Sequence, residues 1–291
     1  MGDFTFAVIG GDKRSAYLAA QLDREGCLVE TVGLELSGIV PTRSIITLEG
    51  VLPKADCIIL PLPLLGENGK LLQPFSSARL DIYSVIEGAK KGAVIFAGVI
   101  PPTVAEYAAR CGVSMYDYYL REDLRIKNAV PTAEGAAEIL MQQLPITIFG
   151  SRLLIIGFGK TAKRLCFLLA AMGAQITVSA RRTEDTAYAE SLGYNAQKTA
   201  RLGEKKLRYD AIVNTVPALL FTPDVIDAVE PGTLIVDLAS KPGGVDGEYA
   251  KSSGMNYIWA LSLPGKVAPK TAGQIIKETI ENMLAERGCG V

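Results

Sequence analysis

The 291-residue chain contains no histidine. That absence excludes Ser-His-Asp and Cys-His catalysis, histidine-ligated metal, and any dehydrogenase whose acid or base is an imidazole. Proton transfer falls to Lys, Tyr, Asp, Glu or water. Cysteine is scarce: Cys27, Cys57, Cys111, Cys166 and Cys289 are odd in number and contain no C-x-x-C. Neither a disulfide framework nor a zinc site is expected, no metal is assigned, and reduced thiols point to a cytoplasmic protein. No apolar run reaches the roughly 18 residues of a membrane span. The start, "MGDFTFAVIGGDKR", lacks the features of a signal peptide, and "MGDFTF" lacks the Ser or Thr of a myristoylation signal. An excess of one charge is missing too: 30 Lys and Arg stand against 31 Asp and Glu. Neither nucleic acid nor an anionic membrane is therefore an expected partner.

A hydrophobic fraction of 49% and a charged fraction of 21% are those of a globular protein, and the length suits two domains. Short apolar runs ("FTFAVIGG", "CLVETVG", "ADCIILPLP", "GAVIFAG") alternate with helical patterns ("DKRSAYLAAQLDREG", "PPTVAEYAARCG"). The alternation predicts parallel strands with helices on both faces. "PLPLLGENGKLLQPFSS" reads as a long loop. "PTAEGAAEILMQQLP" reads as a linker helix with Thr132 as N-cap and Pro145 as terminator. A second series follows, with strands at 152–156, 175–180, 211–216, 233–238 and 256–261, a weak one near 194–197, and helices at 160–172, 185–192, 223–229 and 247–253. The last helix spans 271–287. The expected fold is α/β, with two doubly wound parallel-sheet domains. Residues 1–144 form the first, 145–269 a Rossmann dinucleotide-binding domain, and 270–291 return to the first domain, with the active site in the cleft between them.

"LLIIGFGKTAKRL", residues 153–165, contains the "GKT" of a triphosphate-binding loop. That loop needs a glycine at position 154, which is Leu154, inside the strand. The dinucleotide reading fits instead. Gly157 makes the tight turn, Gly159 lets the backbone approach a pyrophosphate, and Ala162 packs helix against strand. The pyrophosphate would rest at the helix start, at Lys160 and Thr161. At the end of the second strand an NAD site expects an acid; here stand Ser179, Ala180, Arg181 and Arg182. The arginine pair and the hydroxyl favour the 2′-phosphate of NADP, with NAD left open. "NTVP", with Thr215, Val216 and Pro217, would flank the cofactor ribose.

"FAVIGGDKR", "IKNAVPTAEG", "LLIIGFGKTA", "VSARR", "VNTVP", "LIVDLASKPGG" and "LPGKVAPKTAG" together resemble the dipicolinate synthase A-subunit family, in order and across almost the whole chain. The resemblance implies an enzyme of the mother-cell cytoplasm of an endospore-former. It would oxidise dihydrodipicolinate, or its hydroxylated tetrahydro precursor, to dipicolinate with a nicotinamide cofactor, beside a flavoprotein-like second subunit. The second half also resembles the cofactor domain of D-2-hydroxyacid dehydrogenases. Lys241 in "SKPGGVD" takes roughly the place of their catalytic Arg, and Gly265 follows Pro264 where they carry His.

A dicarboxylate substrate calls for cations and helix N-termini. Lys241, after a strand's C-terminal end, is the first candidate, with Lys266 and Lys270 as further catalytic candidates. Arg14, Ser15, Thr132 and Thr271 are candidate carboxylate contacts. Two alternatives remain open at this level: a dehydrogenase of another small carboxylate, and a non-catalytic NADP-binding regulatory subunit. A homo-oligomer is also left open.

Overall fold

The computed structural model describes residues 4–39, 47–76 and 78–288; Cys289 lies outside them. The chain divides into two compact units, Met1–Asn128 with Ala268–Val291, and Ala129–Val267. Among the described residues no helix is long and apolar enough to cross a membrane.

The first unit runs β1 (Thr5–Ile9), α1 (Lys13–Arg24), β2 (Leu28–Val32), α2 (Leu48–Val51), β3 (Cys57–Ile59), α3 (Ile82–Gly88), β4 (Val94–Ala97), α4 (Pro102–Arg110) and β5 (Ser114–Asp117), followed by the start of α5 (Glu122–Gln143). Its sheet is parallel, in the order β2-β1-β3-β4-β5. The second unit runs β6 (Arg152–Ile156), α6 (Lys160–Ala171), β7 (Gln175–Ala180), α7 (Thr183–Ser191), β8 (Asn195–Lys198), β9 (Ala211–Asn214), α8 (Pro223–Asp227), β10 (Leu234–Asp237), α9 (Gly247–Ser252), β11 (Asn256–Trp259) and α10 (Leu263–Val267). Its sheet is also parallel, in the order β11-β10-β9-β6-β7-β8. The last helix, α11 (Pro269–Ala285), belongs to the first unit.

Parallel strands covered on both faces should be apolar throughout. Residues 153–156 are fully buried, as are 211–214 and 234–237. In the first unit, Ile275, Ile276, Ile280, Met283 and Leu284 of α11 share a core with Phe6, Val8, Leu18 and Leu22. Contact between α11 and α1 is close because Gly273 carries no side chain: a Cβ there would lie 2.5 Å from the Arg14 carbonyl oxygen.

Three local expectations change. Thr132 is not a helix N-cap, because α5 already begins at Glu122 and carries Pro131 in its interior. Glu122 and Asp123 in its first turn suit the positive end of the helix dipole. The whole of this helix was expected with the first domain, yet Ala133, Ala136, Ala137 and Leu140 pack into the core of the second unit. Finally, β5, α3 and α10 are additional elements, and α11 is capped at Ala268, so Thr271 lies inside the helix.

Candidate functional site

In the second unit the chain runs from β6 outward to β7 and β8, then returns to the other side of β6 as β9, β10 and β11. The order reverses between β6 and β9. In open α/β sheets the crevice beyond the strand ends at this reversal is where ligands bind. Here those ends are Gly157 and the Asn214–Pro217 turn.

Gly157 has φ +91°, and a Cβ there would lie 2.6 Å from Thr215 Oγ1 and 2.8 Å from Val216 Cγ2. Only glycine lets the two turns meet. The Thr215 hydroxyl donates to the Ile156 carbonyl at 2.8 Å, and the Val216 amide donates to Asn214 Oδ1 at 3.1 Å. Thr215 and Val216 therefore back the glycine turn, while Pro217 is exposed. Gly159 is the N-cap of α6, with no side chain capping the helix, and a Cβ there would meet nothing within 4 Å. Lys160 is exposed and Thr161 half-buried in the first turn. An open glycine before uncapped amides is a cradle that fits a pyrophosphate.

At the end of β7 the expected set divides. Ser179 is fully buried, with its hydroxyl 3.4 Å from Thr199 Oγ1. It faces the protein interior and not the exposed corner, which corrects its assignment to a phosphate. Arg181 and Arg182 are exposed. The Arg182 guanidinium forks onto Asp185 through Nε and Nη2, both at 2.8 Å, and holds the Asp185 carboxyl below its ordinary range. Among the described residues the Arg181 side chain makes no hydrogen bond or ion pair.

Lys241 is exposed on the loop after β10, and that loop is built on a buried carboxylate. Asp237 is fully buried; its Oδ1 accepts from Asn214 Nδ2 at 2.8 Å and from the Ala239 amide at 3.0 Å, and its Oδ2 accepts from the Gly244 amide at 2.8 Å. The Trp259 indole N–H donates to the Ala239 carbonyl at 2.9 Å. Gly244 is obligatory, since a Cβ would lie 2.2 Å from Asn214 Nδ2 and 2.5 Å from the Val216 carbonyl oxygen. Two separate sequence motifs, "NTVP" and "DLASKPGG", thus form one polar network. Lys266 lies exposed on α10, beside a recess of about 430 Å³ that Trp259, Glu138 and Gln142 also line. Trp259 therefore touches both the Lys241 loop and the Lys266 recess. Asp237 and Trp259 were not among the expected site residues. A buried acid ending an apolar strand, and the chain's single tryptophan, were the available signals.

The remaining candidates lie elsewhere. Thr132 is half-buried within α5. Lys270 and Thr271 are exposed in the first turn of α11, in the first unit. Ser15 is buried. Arg14 is buried as well: Nε and Nη2 reach the Asp12 carboxylate at 2.8–3.1 Å, and Nη2 also donates to the Leu62 carbonyl. Asp12 caps α1 through the Arg14 amide at 2.9 Å. The arginine is thus neutralised within its own turn, which corrects its assignment as a carboxylate contact. The strand reversal of the first sheet, between β1 and β3, is filled by the chain itself: the Gly11 amide donates to the Leu72 carbonyl at 2.7 Å, and a Cβ on Gly10 would meet that oxygen at 2.9 Å.

A family model described as the N-terminal domain of the dipicolinate synthase A-subunit matches residues 5–119. The dipicolinate synthase A-subunit of Bacillus subtilis (strain 168) is 32% identical over 283 residues, covering 96% of this chain and 95% of the relative. The crystal structure of the A chain of dipicolinate synthase from Bacillus subtilis superposes with a TM-score of 0.87 at 31% identity, covering 98% of this chain and 97% of that one. The crystal structure of the dipicolinate synthase A-subunit from Bacillus halodurans gives a TM-score of 0.90 at 28% identity, with 97% and 98% covered.

Proposed function

The chain belongs to the dipicolinate synthase A-subunit family, and from that premise we propose that it is an NADP-dependent oxidoreductase converting dihydrodipicolinate, or its hydroxylated tetrahydro precursor, to dipicolinate. The observation that carries the reading is the glycine turn at the strand reversal of the second sheet. Gly157 packs against Thr215 and Val216, and Gly159 leaves the α6 amides open. Bound there, the nicotinamide supplies the hydride acceptor. The chain's own residues bind and orient. The α6 N-terminus takes the pyrophosphate, and Arg181, with Arg182 partly neutralised by Asp185, takes the 2′-phosphate. Lys241, on a loop braced by Asp237 and Trp259, holds a substrate carboxylate as a point charge. Lys266, beside the Trp259 recess, is the candidate for proton transfer in this unit, and Lys270 is the candidate in the other. Loss of hydride and proton from a dihydropyridine ring yields an aromatic ring, so this oxidation needs little acid/base assistance; the hydroxylated precursor must first lose water to reach the same dihydropyridine.

That the relatives are A-subunits supports a partner, for which a flavoprotein-like second subunit is proposed, in the mother-cell cytoplasm of a sporulating cell. The test combines purified chain, partner subunit, NADP and enzymatically generated dihydrodipicolinate, with dipicolinate followed by absorbance. Turnover dependent on this chain supports the reading. NADP binding without turnover, partner included, favours a regulatory binding subunit instead. Turnover of a different small carboxylate alone would reassign the substrate.

A further inference from the structure

We propose that Lys198 is a cation of the adenosine-phosphate corner and decides the preference for NADP over NAD; the proposal rests on the nicotinamide reading above. Lys198 ends β8 and stands in register beside Ala180, the last residue of β7. Its ammonium donates to Thr183 Oγ1 at 2.7 Å and contacts the Arg181 carbonyl oxygen at 3.4 Å. It therefore sits against the β7–α7 turn, whose position beyond the second strand is where a dinucleotide fold distinguishes its cofactors.

Charge decides why this lysine matters. Within 181–185 the turn carries Arg181 and Arg182 against Glu184 and Asp185, so by itself it is neutral. Arg182 is committed to Asp185. Lys198 adds positive charge from the β8 side. Lys163 of α6 also acts on Asp185, but its ammonium lies over the rings of Phe158 at 5.4 Å and Tyr188 at 4.8 Å. An ammonium has three donors. Two of those on Lys198 point at Thr183 and Arg181, leaving one for a phosphate oxygen. NADP offers an anionic phosphate there, whereas NAD offers a neutral hydroxyl that can accept a hydrogen bond but carries no charge to pair with the ammonium. The bland role for the same contacts is a strap tying β8 to the turn, and the variants below separate the two.

NADPH and NADH are titrated into the purified full chain by nicotinamide fluorescence, for wild type, Lys198→Met, Lys198→Arg, Thr183→Ala and Arg181→Ala. Lys198→Met is expected to weaken NADPH about tenfold to a hundredfold, the equivalent of one charge-assisted contact, with NADH changed by less than about twofold. Lys198→Arg keeps most of the preference. Thr183→Ala removes the shorter of the two strap contacts but not the charge, and keeps NADPH affinity. If Thr183→Ala reproduces the Lys198→Met loss, Lys198 is a strap and the proposal fails. An NADPH/NADH ratio lowered by Arg181→Ala but untouched by Lys198→Met also overturns it and leaves the cofactor reading standing. A ratio untouched by either variant overturns the proposal and the assignment of Arg181 to the 2′-phosphate while nicotinamide binding stands, whereas a wild-type chain that binds neither nucleotide overturns the nicotinamide reading as well.

Discussion

Asp237→Asn tests whether the Lys241 loop is built on a buried charge. The substitution keeps the shape and exchanges one acceptor oxygen for an NH₂ group. Three donors converge on the carboxylate: Asn214 Nδ2, the Ala239 amide and the Gly244 amide. An asparagine can accept from only one side, so at least one donor faces another donor in a fully buried place. A stranded buried donor costs about 1–3 kcal/mol, and the surviving bonds fall from charge-assisted to neutral strength, about 1 kcal/mol each. Removing the charge also relieves its desolvation, which offsets part of this. The net loss should be about 2–4 kcal/mol, a large part of a typical domain's 5–15 kcal/mol. Urea unfolding followed by fluorescence measures it, because Trp259 is the only tryptophan, lies in the same unit and donates to Ala239. A folded baseline with shifted Trp259 emission would add local evidence of a loosened loop. A loss below about 0.5 kcal/mol, the range of ordinary surface substitutions, would mean that the carboxylate does not organise the loop.

Other outcomes follow from the same geometry. Gly157→Ala should cost about 2–4 kcal/mol and abolish nucleotide binding, since positive φ and contacts under 3 Å add together, whereas Gly159→Ala, at an N-cap with open space around it, should cost only about 1 kcal/mol and still fold. If Gly159→Ala also leaves NADP affinity unchanged, the pyrophosphate does not lie over that glycine. Lys241→Met keeps the stem and deletes the charge; it should raise the substrate KM while NADP affinity holds, and wild-type kcat/KM in coupled assays would make Lys241 a solvated loop residue. Burial pushes the Cys166 thiol up to about 12. Because the folded state then holds its proton more tightly than the unfolded chain, stability falls as pH rises above the ordinary thiol value of about 9, by up to about 1.4 kcal/mol per pH unit. Cys166→Ala should flatten that alkaline slope in denaturant titrations, and an unchanged slope would refute the assignment.

The central strands of the second unit were legible because they are apolar runs in a sheet buried on both faces, whereas the edge strand β8, "NAQK", gave only a weak signal. Residues 152–156 and 175–180 fall where the pattern places them. β5 was not legible, since "SMYD" is half polar and only its pairing with β4 makes it a strand. α5 was misread through a sound rule. Proline favours a helix's first turn, and Pro131 precedes a plausible cap in Thr132. Yet the nine residues before that proline, with Glu122 and Asp123 leading, had already started the helix.

The site divides along the same line, between chemistry that is local in sequence and chemistry that needs the strand order. The glycine turn is local: its conformational demand lies within six residues, so Gly157 and Gly159 could be assigned from spacing. Local reasoning fails where a side chain has two partners to choose from. Arg14 stands at a helix start, where an anion is expected, but Asp12 two residues earlier supplies that anion and Leu62 takes what remains. The Lys241 loop lies at the other extreme. Asp237 meets Asn214 from 23 residues away and Gly244 from 7, and Trp259 meets Ala239 from 20. These groups converge only because β9, β10 and β11 lie side by side, so that their C-terminal ends share one edge. The same adjacency brings Lys198 beside Ala180 from β8. The residues that brace or tune the candidate site therefore sit on neighbouring strand ends, where sequence spacing carries no signal and strand order carries nearly all of it.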